Sequence, residues 1–440
     1  MDKGGEVSLP WPDDPAEEAA PELYLTREER EMLHGRSGDA VRRAMEIVVG
    51  LGRVFGARAL VPVVSSQVAG VSYLNLGDAG LQFLGEWRDS GARVRIPTML
   101  NPAGMDLQAW EEQGVPRAFA LRQREVVDTY VAMGIRPTCS CTPYLLGNVP
   151  APGEHLAWSE SSAVSFANSI LGARTNREGG PSALASAIVG RTANYGLHLD
   201  EYRLASSVVE VACEVESLAD FGALGYIVGR LVRNGVPYFR FRRRPRALKG
   251  WDGGGLPGEP ALSALKQLGA AMAASGAVAL YHIDGLTPEA RAGGALASKA
   301  ESIIVDDLSP GYEGLNSSVR RIDLVSIGCP HASLAEIERV AALLSGRRVA
   351  SELWVTTARA TRDGAVSRGL VERIEAAGAK VVADTCLVVS PMKLLGYRSL
   401  ATNSAKMAFY ARSHQGLQVR FGTTERCIDA AVRGTWEWRS

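Results

Sequence analysis

An α/β fold built on parallel sheets is what this chain predicts, and two observations carry the prediction. In the last third, apolar strand-like runs alternate with helical patterns in the order β-α-β-α-β. Strands joined by helical crossovers run parallel, and the right-handed crossover lines up their carboxyl ends along one edge. Two isolated cysteines, Cys329 and Cys386, directly follow two of these strands, and ligands of open α/β sheets gather at that edge. The 440 residues suffice for a large core and more than one structural unit, and 46% apolar content is ordinary for a globular protein.

The elements follow in chain order. Residues 1–24 are acidic and proline-rich and lack the basic and apolar stretches of a signal peptide, so they read as a flexible N-terminal extension of a cytoplasmic protein. Thr26-Arg27-Glu28-Glu29 has capping-box spacing, so folding starts near Leu25. Over 25–205, helical patterns alternate with short apolar runs such as 59–64 (ALVPVV). Residues 155–205 are rich in small side chains, which suit close backbone packing or a bound ligand. A middle subdomain is expected over 206–320, opening with SSVVEVACEVES and FGALGYIVGRLV; FRFRRRPRALKGWDGGGLPGE reads as a solvated loop. The region 321–440 begins with IDLVSI, a buried strand. Ser333-Leu-Ala-Glu336 forms a second capping box that starts a helix to about Leu344. ELWVTT is the next strand, 365–377 a helix, and KVVADT the third strand.

The bulk numbers exclude several classes. No apolar run reaches the ~18 residues of a membrane span. Zero net charge creates no global field toward nucleic acid or an anionic membrane. Six cysteines are too sparse for a disulfide scaffold. Their places are still suggestive. The stretch PTCSCTPYL holds Cys139 and Cys141, and a thiol from it would complete a triangle with Cys329 and Cys386. Widely separated single cysteines suit a cluster with one incomplete corner, whereas zinc motifs come as close pairs. Buried structural thiols are the plainer alternative. Cys213 and Cys427 lie in apolar patterns and read as core residues.

Longer strings speak to kinship. QVAGVSY (67–73), TMLNPAGMD (98–106), CTPYLLGNVP (141–150), the long run AWSESSAVSFANSILGARTNREGGPSALASAIVGRTANYGLHLDEYR (157–203), GCPHASLAEI, ADTCLVVSPM and TNSAKMAFY carry a resemblance. On them the chain resembles the large subunit of the aconitase X family over nearly its whole length. The resemblance implies an aconitase-like fold, with several parallel-sheet βαβ modules around a central iron–sulfur cleft, and hydro-lyase activity. It is nearest to the phosphomevalonate-dehydrating branch. In that branch three cysteines hold a 4Fe–4S cluster whose fourth iron is open. The matching positions are Cys141, Cys329 and Cys386, with Cys139 the runner-up for the first. Cys141 is preferred because Cys141-Thr-Pro-Tyr144 matches the family string Cys-x-Pro-Tyr. The hydroxyproline enzymes of the family use a different iron centre.

The chemistry agrees with three ligands. A fourth thiolate would leave an electron-transfer centre, whereas an open iron is a Lewis acid for a carboxylate and a neighbouring hydroxyl. A base must then remove the proton α to the carboxylate. The implied reaction converts (R)-5-phosphomevalonate to trans-anhydromevalonate 5-phosphate, a step of isoprenoid biosynthesis. Gly70-Val71-Ser72 and Asn101-Pro102 offer backbone and side-chain donors to anionic oxygens, unless they are ordinary turns. Arg174, Asn176 and Arg177 combine guanidinium groups with nearby glycines; ion pairs to Glu178 or Glu160 are the alternative. Ser404 and Lys406, placed after a loop, would hold phosphate or carboxylate, unless the lysine is a surface one. His155, His198 and His331 are candidate proton shuttles or donors to a cluster sulfur, against structural imidazoles. Glu160 and Asp200 are similar cases.

The family draws its base, a serine alkoxide, from a swivelling domain that is either separate or fused. Nothing resembling that domain is found before Ser440. The resemblance therefore implies a separate small subunit in a heterodimer, with the active site between the chains. A second enzyme reading is dehydration of another β-hydroxy acid, such as cis-3-hydroxyproline. A reading of another class is a cluster-dependent RNA binder. It rests on Arg240, Arg242, Arg243, Arg244, Arg246 and Lys249 with Tyr238, Phe239 and Phe241 interleaved. A solvated loop, or a contact with the small subunit, explains the same residues more simply.

Overall fold

The computed structural model describes residues 22–437, and among them the strands gather into four sheets. The five-, four- and three-stranded sheets are wholly parallel; only the short pair Leu60–Pro62 with Arg191–Ala193 is antiparallel. This is the α/β class that the alternation predicts. No helix among the described residues is long and apolar enough to cross a membrane.

The first helix, Arg27–Leu33, starts at the expected capping box. Thr26 Oγ1 accepts from Glu29 N–H, and the Glu29 carboxylate returns to Thr26 N–H at 2.7 Å. Leu23 and Leu25 already pack on the first core, and Tyr24 N–H donates to Arg58 O at 2.9 Å. Of the expected N-terminal extension, residues 1–21 lie outside the described residues. Helix Gly180–Val189 packs on the three-stranded sheet, whose order is Thr98–Leu100, Ser66–Val68, Ala157–Trp158, and helix Asp39–Val54 packs on that helix. The apolar run 59–64 yields only the three-residue strand Leu60–Pro62, because Pro62 has no N–H to extend a ladder.

The middle region holds the four-stranded sheet, ordered His282–Ile283, Pro237–Phe241, Ala205–Val211, Leu296–Val305. Helices Leu218–Val232 and Ala261–Gly276 pack closely on one another. The run from Phe239 onward is less of a loop than its arginines suggest. Residues 237–241 form a strand, and Phe239 and Leu248 are fully buried. Alternation explains part of the difference: Phe239 and Phe241 share one face of the strand, while Arg240 between them points to the other face and is exposed.

The last region is a doubly wound sheet with strand order Lys380–Ala383, Glu352–Thr357, Leu324–Ile327, Ser399–Thr402, Gln418–Phe421. Strand ELWVTT and helix Leu334–Leu343, with its Ser333–Glu336 capping box, fall where the pattern puts them. The expected helix 365–377 is two helices, Arg359–Val366 and Leu370–Ala376, because Gly369 takes a left-handed φ of 65° between them. Strand Ser399–Thr402 occupies the place of the expected loop before Ser404. The order of strands reverses between Leu324–Ile327 and Ser399–Thr402. That topological switch point opens a crevice outside the carboxyl ends of both strands.

Candidate active site

Six strand ends deliver the chemistry-bearing residues. In the three-stranded sheet, Ser66–Val68 runs out into Gly70-Val71-Ser72, Thr98–Leu100 into Asn101-Pro102, and Ala157–Trp158 into Glu160. In the five-stranded sheet, Leu324–Ile327 ends at Cys329, Lys380–Ala383 at Cys386, and Ser399–Thr402 at Ser404 and Lys406. Cys329, Ser404 and Lys406 thus flank the switch point. The two carboxyl edges meet. Ser72 Oγ donates to Val389 O at 2.7 Å, Ala103 N–H to Asp384 O at 2.8 Å, and Ala383 N–H to Asp106 Oδ2 at 2.8 Å.

Cys141, Cys329 and Cys386 are buried and feel one another's charge. Burial pushes the Cys141 thiol up, and the charges of Glu160, Cys386 and Cys329 add to that. Burial and then the Cys329 charge push Cys386 up to about 12. Each sulfur has a donor: His331 N–H reaches Cys141 Sγ at 3.1 Å, the Ser404 side chain bonds to Cys329, and Val388 N–H bonds to Cys386. Cys139 belongs elsewhere. It sits in the first core, and the charges nearest to it are Asp384 and Arg359 rather than the other thiols. Cys427 is buried in helix Thr424–Arg433, while Cys213 lies past a strand end and is only half-buried. Among the described residues no three His, Cys, Asp or Glu side chains stand close enough to grip a single metal ion. An iron–sulfur cube is wider than one ion, so its thiolates stand farther apart than the ligands of a lone metal.

Gly328 makes the Cys329 corner possible. Its φ is +98°, and a Cβ there would lie 2.1 Å from Thr356 O. Behind the corner, the fully buried His331 ring ties two further loops. Its Nδ1 lies 3.2 Å from Ser140 Oγ and its Nε2 2.9 Å from Thr385 O. A carbonyl only accepts, so Nε2 carries the proton and Nδ1 accepts from the serine. Ser140 and Thr385 precede Cys141 and Cys386, so one imidazole braces all three cysteine loops. Burial first of all holds His331 neutral, down at about 4.

Glu160 and Lys406 face each other across the seam, only 13% and 7% exposed. Burial opposes the Glu160 charge, but the ammonium and the hydrogen bonds from Lys406 and Asn101 hold it down at about 2. Burial likewise opposes the Lys406 charge, which Glu160 and the thiols of Cys329 and Cys141 support. Asn101 Nδ2 donates to Glu160 Oε2 at 2.8 Å, and its Oδ1 is buried without a partner. Tyr144 stacks on Phe166 at 4.0 Å, and its hydroxyl is also buried and unpartnered. Among the described residues the N–H groups of Gly70, Val71 and Ser72 meet no acceptor. Helix Gly180–Val189 starts hard against this turn: a Cβ on Gly180 would lie 2.6 Å from Ala69 O. The arrangement presents a cation, open backbone donors and orphaned polar atoms beside three sulfurs. It suits an anionic ligand and a metal cluster together.

Other candidates gather apart. Arg174 pairs with Asp200 and donates to His198 O at 2.9 Å. Asn176 spends its amide on Tyr195 O and Leu197 N–H. His155 and His198 face each other with Nδ1 atoms 2.8 Å apart. Among the described residues no hydrogen bond joins this group to the thiols. Arg177 is exposed, and its charge helps to lower Glu160. The basic stretch after Tyr238 offers no stacking platform: Tyr238 and Phe239 are buried, Arg240 pairs with Glu210 and Arg243 with Glu214. Sequence reading passed over Gln67, whose Nε2 donates to Ser140 O at 2.9 Å, along with Lys266 and Gln267. The string QVAGVSY, which opens at Gln67, is the signal that could have found the first of these.

Comparison with known proteins accords with this geometry. The aconitase X first, second and third domain models match residues 22–201, 205–309 and 322–433. A Methanothermobacter thermautotrophicus protein named phosphomevalonate dehydratase large subunit is 50% identical over 397 residues, 90% of this chain and 95% of that one. A Pseudomonas aeruginosa cis-3-hydroxy-L-proline dehydratase is 37% identical over 415 residues, 92% of this chain and 69% of that one. The crystal structure of holo-form aconitase X from Thermococcus kodakaraensis has a TM-score of 0.83 and 47% identity, covering 93% of this chain and all of that one. With its three domain models matched in order and relatives alike along most of its length, this chain belongs to the aconitase X family.

Proposed function

We propose that the chain is the iron–sulfur large subunit of a dehydratase that removes water from (R)-5-phosphomevalonate. The observation that carries the reading is the convergence of three buried thiols, each with its own hydrogen-bond donor, beside the Glu160–Lys406 pair. Cys141, Cys329 and Cys386 would hold a 4Fe–4S cluster. When bound, the cluster supplies an open iron as a Lewis acid for the carboxylate and the leaving hydroxyl. The chain's own residues do the rest. Donors at each sulfur stabilise the thiolate form. Lys406 and the open N–H groups of Gly70, Val71 and Ser72 hold anionic oxygens of the substrate. Burial of the edge excludes water. The base comes from a separate small subunit seated over the same edge.

Four relatives named phosphomevalonate dehydratase large subunit are 45–50% identical, and they favour this substrate over cis-3-hydroxyproline, whose dehydratases are 34–37% identical; a further protein of the first name, from Aeropyrum pernix, is 35% identical. Iron and sulfide are to be measured on anaerobically purified wild type and single Cys→Ser variants. Iron should fall at 141, 329 and 386 and stay at 139, 213 and 427. Equal loss at 213 or 427 would contradict the ligand set. With the small subunit added, 5-phosphomevalonate should be dehydrated and cis-3-hydroxyproline left intact; the reverse result would transfer the chain to the second reading.

A further inference from the structure

Lys266 and Gln267 are consecutive residues of helix Ala261–Gly276, and both reach the loop that carries Cys329. Lys266 Nζ donates to His331 O at 3.0 Å and pairs with Glu336; its side chain is wholly buried. Gln267 Nε2 donates to Cys329 O at 3.4 Å, and its Oε1 is buried with no partner. The two carbonyls stand on either side of Pro330, so one helix grips the loop at both ends of its turn. A buried lysine–glutamate pair is seldom worth its desolvation, and apolar replacement of such pairs is often neutral or stabilising. Here the ammonium has a second acceptor, and that acceptor belongs to the loop of a proposed iron ligand. The lysine therefore has a task beyond its own ion pair.

We propose that Lys266 is a positioning residue for Cys329: with Gln267 it clamps the loop's carbonyls, keeps the sulfur aimed at the other two thiols, and so sets how firmly iron is held. The inference rests on the reading of Cys329 as an iron ligand. Helix Ala261–Gly276 packs chiefly on helix Leu218–Val232, and also on helices Ser161–Phe166 and Ala405–Ser413, and carries none of the proposed ligands. Under this proposal the middle region contributes to iron retention through that one helix.

The test follows iron release to a chelator from anaerobically loaded protein. Lys266→Met/Glu336→Gln should release iron on the order of 10-fold faster than wild type. Glu336→Gln alone strands the buried Lys266 ammonium without its counter-charge and should lower stability, but it should release iron more slowly than the double variant, because Lys266 still holds His331 O. Gln267→Leu, which leaves the ion pair intact, should also release iron faster. Wild-type release from whichever of the two Lys266 and Gln267 variants folds overturns the proposal. So does a lowered melting temperature of the iron-free protein with release unchanged, since that is a merely structural role. Cys329→Ser in the same assay separates the two claims. If it retains iron like wild type, the ligand assignment fails; if it loses iron while the Lys266 and Gln267 variants hold theirs, only the positioning role fails.

Discussion

His198 shows how burial sets a residue's behaviour. Burial, then the charges of His155, Arg203 and Arg174, hold its imidazole down at about 3. The native state therefore keeps it neutral while the unfolded chain protonates near pH 6.5. Unfolded chains bind the extra proton as pH falls from about 6.5 to about 3, so the stability held above that window is lost on acidification, at up to about 1.4 kcal/mol per pH unit. Urea midpoints across this range should fall steeply in wild type and less steeply in His198→Gln. Identical acid limbs would show that the His155–His198 contact is not what burial makes of it. The same scale separates Cys139 from Cys141. Two thiols one residue apart cannot be told apart by composition. The shared string Cys-x-Pro-Tyr favours Cys141, and their neighbours differ: Asp384 and Arg359 for Cys139, Glu160 and two further thiols for Cys141.

Among the elements, the turn from strand Leu324–Ile327 into the Cys329 loop is the most constrained. Gly328→Ala places a Cβ against Thr356 O in a left-handed backbone, so it should cost about 2 kcal/mol or more. Chemical denaturation measures this, and an unchanged midpoint would mean that the loop relaxes freely. Gly328 belongs to the region that the sequence announces best. Strands of four to six residues alternate there with capped helices, and Ser333-Leu-Ala-Glu336 marks a helix start without any tertiary help. Strands Ser399–Thr402 (SLAT) and Gln418–Phe421 (QVRF) escaped because neither holds the adjacent bulky apolar residues that mark LVSI and KVVA. Strands Ser66–Val68 and Thr98–Leu100 are too short, at three residues, to show a period. Their register is decided by partners far along the chain, such as Ser66 opposite both Thr98 and Ala157. The site was legible only in its cysteines and shared strings; Lys266 and Gln267 lie in an unremarkable helical pattern.

At the scale of the whole molecule, Arg359 joins the two carboxyl edges. It pairs with both Asp106 and Asp384, which are 2% and 4% exposed. Asp106 also receives Ala383 N–H, and Asp384 receives Leu107 N–H at 3.3 Å. Arg359→Met would leave two buried carboxylates without a counter-charge, at a cost of roughly 3–5 kcal/mol. Backbone hydrogen exchange at 101–107 and 383–388 should quicken together in that variant. Quickening of only one segment would show that they do not form one joint. No stretch of sequence could announce this joint, because its members come from distant turns with no local pattern. The thiols divide the same way: Cys141 approaches from one side of the seam, Cys329 and Cys386 from the other. The proposed cluster, held from both sides, would act as a rivet through two plates. Its loss to air would then end turnover and also remove one of the seam's fastenings, which would raise the seam's sensitivity to proteases.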